Sequence, residues 1–299
     1  MLRAGTEVPA GKAEGHAHGC GRRSSGGIPG GVRPSRSDRT NRAHPAAGGG
    51  DPDAVGTAEP ITAEPPDRLR LAPLGVAFSD VTFLHWAYDP DKVRPLLPPG
   101  TRPDVFDGAA HVGIVAFRMR SYGEFHEFNV RTYSVDERGR RGVLFLSMEA
   151  DRLPWVLAAR AVALPYRWSH LRLTRDGHEL DYRCRRRWPG PRGLGCRIRL
   201  RVGPPVDGTP LDHFLTARWR MHHRIPGVTL AARLAHERWP LHEADVLELH
   251  ENLIAATGLP APEGPPLSVR YAPRVDGRLS LPRPVAWSGT GGGAGGRRS

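Results

Sequence analysis

Through the middle of the chain, apolar and polar positions alternate with a period of two, which sends successive side chains to opposite faces of an extended strand. Asp107-Gly108 lies between the runs 102–106 and 110–120, and an Asp-Gly pair flanked by apolar residues predicts a hairpin. A second hairpin is predicted from 127–135 and 143–149, joined by turn-forming residues from Asp136 to Gly142. A third pairs 170–174 with 179–187 across Asp176-Gly177, and 196–202 adds a strand after the Trp188-Pro189-Gly190-Pro191 break. Helical spacing is rarer. Asp89-Pro90 opens a short turn that buries Val93, Leu96 and Leu97 and ends by Pro98-Pro99. Leu153, Leu157, Ala161 and Leu164 predict a helix over 152–164, with Pro154 in its first turn. Thr209-Pro210 caps a predicted helix over 211–222 that carries Phe214, Leu215 and Arg218. Val246, Leu249, Leu253 and Ile254 predict a helix over 243–257 that Gly258 ends. Many hairpins with three or four helices read as α+β, built on a curved or closed antiparallel sheet.

Composition sets the limits of the folded part. Residues 1–70 hold almost no large apolar side chains and are rich in Gly, Ala, Pro, Ser and Arg, so they cannot offset their conformational entropy by burial and are expected to be a disordered tail. A start site placed too far upstream would account for part of that tail. The Gly-rich stretch 288–299 is expected to behave in the same way. The remaining span, 71–287, forms one domain, large enough to remove roughly 70% of its chain surface from water.

No run of about 18 apolar residues exists, so no membrane-spanning helix is expected. Arg22-Arg23 is followed by Ser24, Ser25, Gly26 and Gly27 rather than an apolar stretch, which argues against an export signal. Cys20, Cys184 and Cys196 make no disulfide framework. The expected location is cytoplasmic.

Chemistry is concentrated in two places. In the strand over 127–133, alternation puts Glu127, Asn129, Arg131 and Tyr133 on one face. An acceptor, an amide, a guanidinium and a phenol suit a pocket for a small polar ligand, although the same face also fits a solvated sheet with cross-strand ion pairs. The second place is an arginine ladder. Residues 167–201 hold 11 arginines against Asp176, Glu179 and Asp181. Arg183, Arg185, Arg187, Arg197, Arg199 and Arg201 fall on one face, and Leu180, Tyr182, Cys184, Cys196, Ile198, Leu200 and Val202 on the other. A basic face could hold phosphates, but Trp188 is the one aromatic near its exposed side, which argues against nucleic acid as a partner. Metal-ligand spacings and nucleotide-binding fingerprints are missing, so neither metal nor cofactor is expected. Both domain cysteines lie on apolar faces and read as buried, inert thiols.

Several motifs together resemble the YqjF-like family of unknown function. They are Phe83-Leu84-His85-Trp86-Ala87-Tyr88-Asp89-Pro90, Leu96-Leu97-Pro98-Pro99-Gly100, Phe117-Arg118-Met119-Arg120, Phe128-Asn129-Val130-Arg131-Thr132-Tyr133, Ala163-Leu164-Pro165-Tyr166 and the run from Glu251 to Pro260. The resemblance spans about residues 76–285. It implies the acetoacetate decarboxylase-like fold, a cone-shaped antiparallel β-barrel around an internal cavity with a few peripheral helices. Acetoacetate decarboxylase works through a Schiff-base lysine, and the similar place here is Pro165-Tyr166-Arg167, with tyrosine where the nucleophile would stand. Lys12 and Lys92 are the only lysines of the chain, so Schiff-base chemistry is not expected.

The resulting expectation is an internal cavity that binds a small organic ligand, with an anionic one matching its guanidinium. Arg131 clamps it, Asn129 and Tyr166 orient it, Glu127 fixes the arginine, and Tyr133, Arg118 and Arg167 complete the binding set. A lysine-independent enzyme using Glu127 or Tyr166 as general acid or base is the alternative, and anion or nucleic-acid binding by the arginine face is a third. A homo-oligomer is compatible with each.

Overall fold

The computed structural model describes residues 57–66, 69 and 71–285. All belong to the second of two units into which the chain divides, Gly50–Ser299. Most of the tail expected over 1–70, and all of the one over 288–299, lies outside the described residues.

Thirteen strands and three helices are described: β1 (Leu74–Tyr88), α1 (Pro90–Val93), β2 (Thr101–Pro103), β3 (Ala110–Ser121), β4 (Gly123–Asp136), β5 (Arg141–Ala150), α2 (Leu153–Ala161), β6 (Tyr166–Asp176), β7 (Glu179–Trp188), β8 (Gly195–Pro205), α3 (Pro210–Thr216), β9 (Arg220–Ile225), β10 (Val228–His236), β11 (His242–Glu251), β12 (Ser268–Leu279) and β13 (Arg283–Pro284). All pairings are antiparallel except β5 with β6 and β5 with β9. Hydrogen bonds lead from β1 through β3, β4, β5, β6, β7, β8, β11 and β12 back to β1. A second circuit leaves β5 through β9 and β10 and rejoins at β12. The two circuits share the wall β12–β1–β3–β4–β5, and within it most of β1, β3 and β4 is buried on both sides.

This double burial explains the near-continuous apolar runs of β1 and β3, which a strand with one solvated face would not need. Leu84, Trp86, Ile114, Phe128 and Val130 pack with Tyr182, Cys184, Cys196 and Ile198 of β7 and β8 in a large core. Val81, Phe83, Val115 and Phe117 point the other way, into a second cluster with Met148, Tyr166 and Leu241. On β4, Phe128 and Val130 take the first side. Glu127, Asn129 and Arg131 are left facing the second.

The predicted 127–149 and 170–187 hairpins form in register, and Val93 and Leu97 are buried after Asp89, which caps α1 by accepting from the Asp91 amide at 2.8 Å. Four expectations are corrected. The span 243–257 is not a helix: β11 pairs with β8, and a bulge between Val246 and Glu248 turns strand alternation into a spacing that imitates a helical period. Gly258 still ends the short 3-10 turn Ala255–Thr257, at φ 97°. The helix over 211–222 stops at Thr216, because Arg220 onward is drawn into β9 between β5 and β10. Asp107-Gly108 does turn, both residues at positive φ, but only the Phe106–Ala109 bridge closes it. Both edges of β3 are occupied by β1 and β4, so β2 pairs with β4 instead.

The fourth correction concerns 57–66, which composition assigned to the tail. The Glu59 carboxylate accepts from the Arg141 amide at 2.8 Å and from the Arg220 guanidinium at 2.9 Å. Ile61 packs on the Tyr133–Phe214 cluster, and the Trp219 indole donates to the Thr62 hydroxyl at 3.1 Å. A segment poor in apolar residues is held here by polar anchors, which a hydrophobicity argument does not register.

Candidate functional site

Between the shared wall and β10 lies a cavity of about 180 Å³. Its walls are apolar, among them Phe83, Val115, Phe117, Phe145, Met148 and Trp239. The polar groups entering it come from β4, the start of β6, the segment after α3, and β10.

Glu127 is buried among them, and desolvation pushes its carboxyl from 4.5 to about 7. Two donors and the Arg131 charge oppose that rise: the Tyr166 hydroxyl donates to Oε2 at 2.7 Å and the Asn129 amide to Oε1 at 3.2 Å. Burial and the neighbouring carboxylate push the Tyr166 phenol well above its ordinary range, so it stays a donor. Tyr166 reaches this position because the chain turns sharply after α2, with Ala163 at φ 62°, before Pro165 leads into β6.

Arg131 occupies the next cavity-facing position. Its guanidinium lies 5.4 Å from the Phe83 ring centroid, and one Nη sits 3.5 Å from the Leu215 carbonyl. Its Nε has no partner, and among the described residues no carboxylate stands within ion-pair distance. Arg218 lies nearby, paired with Asp104 and donating Nε to the Phe214 carbonyl at 2.7 Å, while its second Nη is left without a partner. The Asn129 carbonyl oxygen is also unpartnered. Buried polar atoms are normally satisfied, so three such atoms around one cavity mark a place where a ligand's polar groups can go.

His236 completes the lining. Its ring sits between those of Trp219 and Trp239, at 4.6 and 4.7 Å, and desolvation lowers its pKa to about 4, so it is neutral. Its Nδ1 is 2.5 Å from the Glu237 carbonyl, which fixes the proton on that nitrogen. Sequence reasoning missed both Arg218 and His236. Arg218 was absorbed into a predicted helix, and β10, which carries His236, was not predicted.

Of the other expected site residues, three do not line the cavity. Tyr133 shares the face of Glu127 but lies beyond Arg131, donating to the Leu215 carbonyl at 2.6 Å and meeting His85 Nε2 at 2.6 Å. Arg118 turns outward to Asp80 at 2.9 Å and Glu124 at 3.7 Å. Arg167 follows Tyr166 and so takes the opposite face, where burial, Arg186 and Arg160 lower its pKa. Nor does Glu127 hold Arg131; its two bonds go to Tyr166 and Asn129.

The arginine face is compensated along much of its length: Asp181 pairs with Arg183 and Arg197, Glu179 with Arg199 and Arg201, and Glu248 with Arg197. Cys184 and Cys196 are buried, which raises both thiols well above their ordinary range. Among the described residues no cluster of three or more His, Cys, Asp or Glu is placed to hold a metal ion, and no helix is long and apolar enough to cross a membrane.

The sheet and its short peripheral helices define an acetoacetate decarboxylase-like fold. An acetoacetate decarboxylase-like enzyme from Sphingomonas wittichii RW1 matches 71% of this chain and 92% of its own, with TM-score 0.51 and 14% identity. The enduracididine biosynthesis enzyme MppR, complexed with pyruvate, matches 73% and 93%, with TM-score 0.52 and 17% identity. By sequence, the chain belongs to the DUF2071 family of uncharacterized conserved proteins, which it matches over residues 76–276. It is 28% identical over 213 residues to the uncharacterized protein YqjF of Bacillus subtilis strain 168, covering 67% of this chain and 87% of that one. The resemblance read from the motifs is borne out.

Proposed function

We propose that this protein binds a small, largely apolar organic carboxylate in the cavity, inside a closed β-barrel made by the second strand circuit. The observation that carries the proposal is Arg131, a buried guanidinium with an unpartnered Nε and no carboxylate of its own. A ligand carboxylate supplies the missing charge, with the free Nη of Arg218 as a second donor and the Asn129 carbonyl oxygen to accept from a hydroxyl or amide. A cavity of roughly 150 Å³ accommodates benzene, so about 180 Å³ suits a molecule of similar size. The fold neighbour MppR carries pyruvate in its complex, which agrees with a carboxylate of modest size. No lysine lines the cavity, and Tyr166 cannot form an imine, so Schiff-base decarboxylation is not part of this function.

Thermal shift with pyruvate, acetoacetate and benzoate, on the wild type and Arg131→Ala, tests the reading. The expected result is a concentration-dependent rise in Tm with at least one carboxylate, lost in the variant and not reproduced by the corresponding amide. If no carboxylate stabilises the wild type, or the variant responds equally, the reading fails.

One observation favours catalysis on the same cavity. A carboxyl with pKa about 7 gives and takes protons near neutral pH, as a general acid or base must. Placed beside a clamped 2-oxo acid, Glu127 is suited to move a proton next to the carbonyl. Exchange of pyruvate methyl protons in heavy water, followed by NMR, then depends on Glu127 and disappears in Glu127→Gln while ligand binding persists.

A further inference from the structure

The outer face of β6 and β7 has two unlike halves. Toward the Asp176-Gly177 turn, Arg183 is paired with Asp181, Arg175 with Asp80, and Arg201 of the adjoining β8 with Glu179. At the opposite end is a groove of about 590 Å³ lined by Trp168, Trp188, Arg185, Arg187 and Arg192, with Leu157 of α2 along its edge. No carboxylate lines it, and among the described residues none of those three arginines has an acidic partner. Along the sequence Trp188 stands alone beside the arginine face, which speaks against nucleic acid. Folding removes that objection, because Trp168 and Trp188 are cross-strand partners. Each ring carries a guanidinium: Arg187 is 4.4 Å from the Trp168 centroid and Arg160 is 5.2 Å from that of Trp188. These contacts hold the indoles in place, and Trp188 keeps 45% of its surface open.

We propose that this groove binds single-stranded nucleic acid, with bases stacking on Trp188 and Trp168 and phosphates on Arg185, Arg187 and Arg192. Uncompensated guanidiniums beside paired indoles are the two elements such binding requires: charge to track the backbone and flat apolar faces to receive unstacked bases. A duplex hides its base faces. An acidic peptide would use the charge and leave the indoles idle.

The test is fluorescence anisotropy of a labelled oligothymidylate against the full chain from low to moderate salt, comparing Trp188→Ala, Arg187→Ala, Arg192→Ala and, as a control of equal charge change, Arg201→Ala, whose side chain is paired with Glu179. Loss of one stacked base weakens binding by about five-fold or more. Each groove arginine removed lowers the slope of log affinity against log salt by about 0.7. Arg201→Ala is expected to bind like the wild type. No affinity at low salt, an Arg201→Ala effect as large as that of Arg192→Ala, wild-type binding by Trp188→Ala, or equal competition by polyglutamate would each overturn the proposal. Trp188 and Arg192 are exposed, so these variants keep the fold.

Discussion

Replacing Glu127 by glutamine isolates the energetic consequence of burying a carboxyl in the cavity. The side chain keeps its shape, so Tyr166 can still donate to its oxygen, while its new NH₂ meets Asn129. That amide can flip to present the oxygen that is unpartnered in the wild type, which leaves its NH₂ without the Glu127 acceptor, a cost that does not vary with pH. The pH-dependent difference is the charge. The folded pKa of Glu127, about 7, lies above the 4.5 of an exposed carboxyl. Between those values the folded state holds more protons than the unfolded one, so the carboxyl's contribution to stability is fully present below 4.5 and falls as pH rises to 7. At about 1.4 kcal/mol per pH unit, the cost to the wild type is about 1 kcal/mol at pH 5 and about 3 kcal/mol at pH 8. Urea unfolding of both proteins at several pH values reads this directly, because every other titrating group cancels in the difference. Relative to wild type, Glu127→Gln is expected to gain about 2 kcal/mol of stability on going from pH 5 to pH 8. A difference that stays constant within experimental error over that range would refute the claim that Glu127 titrates in a buried site.

Other expectations follow from the same geometry. A Cβ at Gly113 would meet the His85 ring at 2.4 Å, and that ring is fixed by Tyr133; Gly113→Ala should lower the urea midpoint by an amount corresponding to about 1–3 kcal/mol of overpacking. Arg186 and Glu149 form a buried pair, with side chains 4% and 1% exposed, so Arg186→Ala strands a buried charge and should cost about 3–5 kcal/mol in the same assay. In Cys20→Ser protein a thiol reagent should titrate no sulfhydryl until denaturant is added, since Cys184 and Cys196 are both buried. Borohydride with acetoacetate should leave the cavity-lining residues without a covalent adduct by mass spectrometry; Lys92, the lysine of the span 71–285, lies exposed in α1 and does not line the cavity.

How much was legible in the sequence differs from element to element. The β4–β5 and β6–β7 hairpins were, because strand alternation and turn residues are local and agree with each other. So was the ordering of β4 into a polar and an apolar side, which put Glu127, Asn129 and Arg131 on one face. The β11 strand was not: its bulge is forced by pairing with β8, and the inserted residue disguises the period. Arg118 and Arg167 belong to the expected binding set, whereas pairing with Asp80 and the alternation after Tyr166 send them elsewhere.

What the sequence alone determined is therefore local and chemical. It specified which segments extend, which faces are polar, and, through two lysines in the whole chain, that the folded domain offers imine chemistry a single amine, Lys92, on an early turn. Only the tertiary structure decided that the polar side of β4 is buried instead of solvated, because β9 and β10 close over it from far along the chain. The same closure pairs Glu127 with Tyr166, brings Arg218 and His236 to Arg131, and leaves donors unsatisfied that water would otherwise have met. On the opposite surface, strand register set Glu179 and Asp181 against one half of the arginine ladder and Trp168 beside Trp188 at the other. Residues from separate strands meet only through pairing, and burial, which sets the Glu127 proton affinity, belongs to the assembled fold and to no single segment.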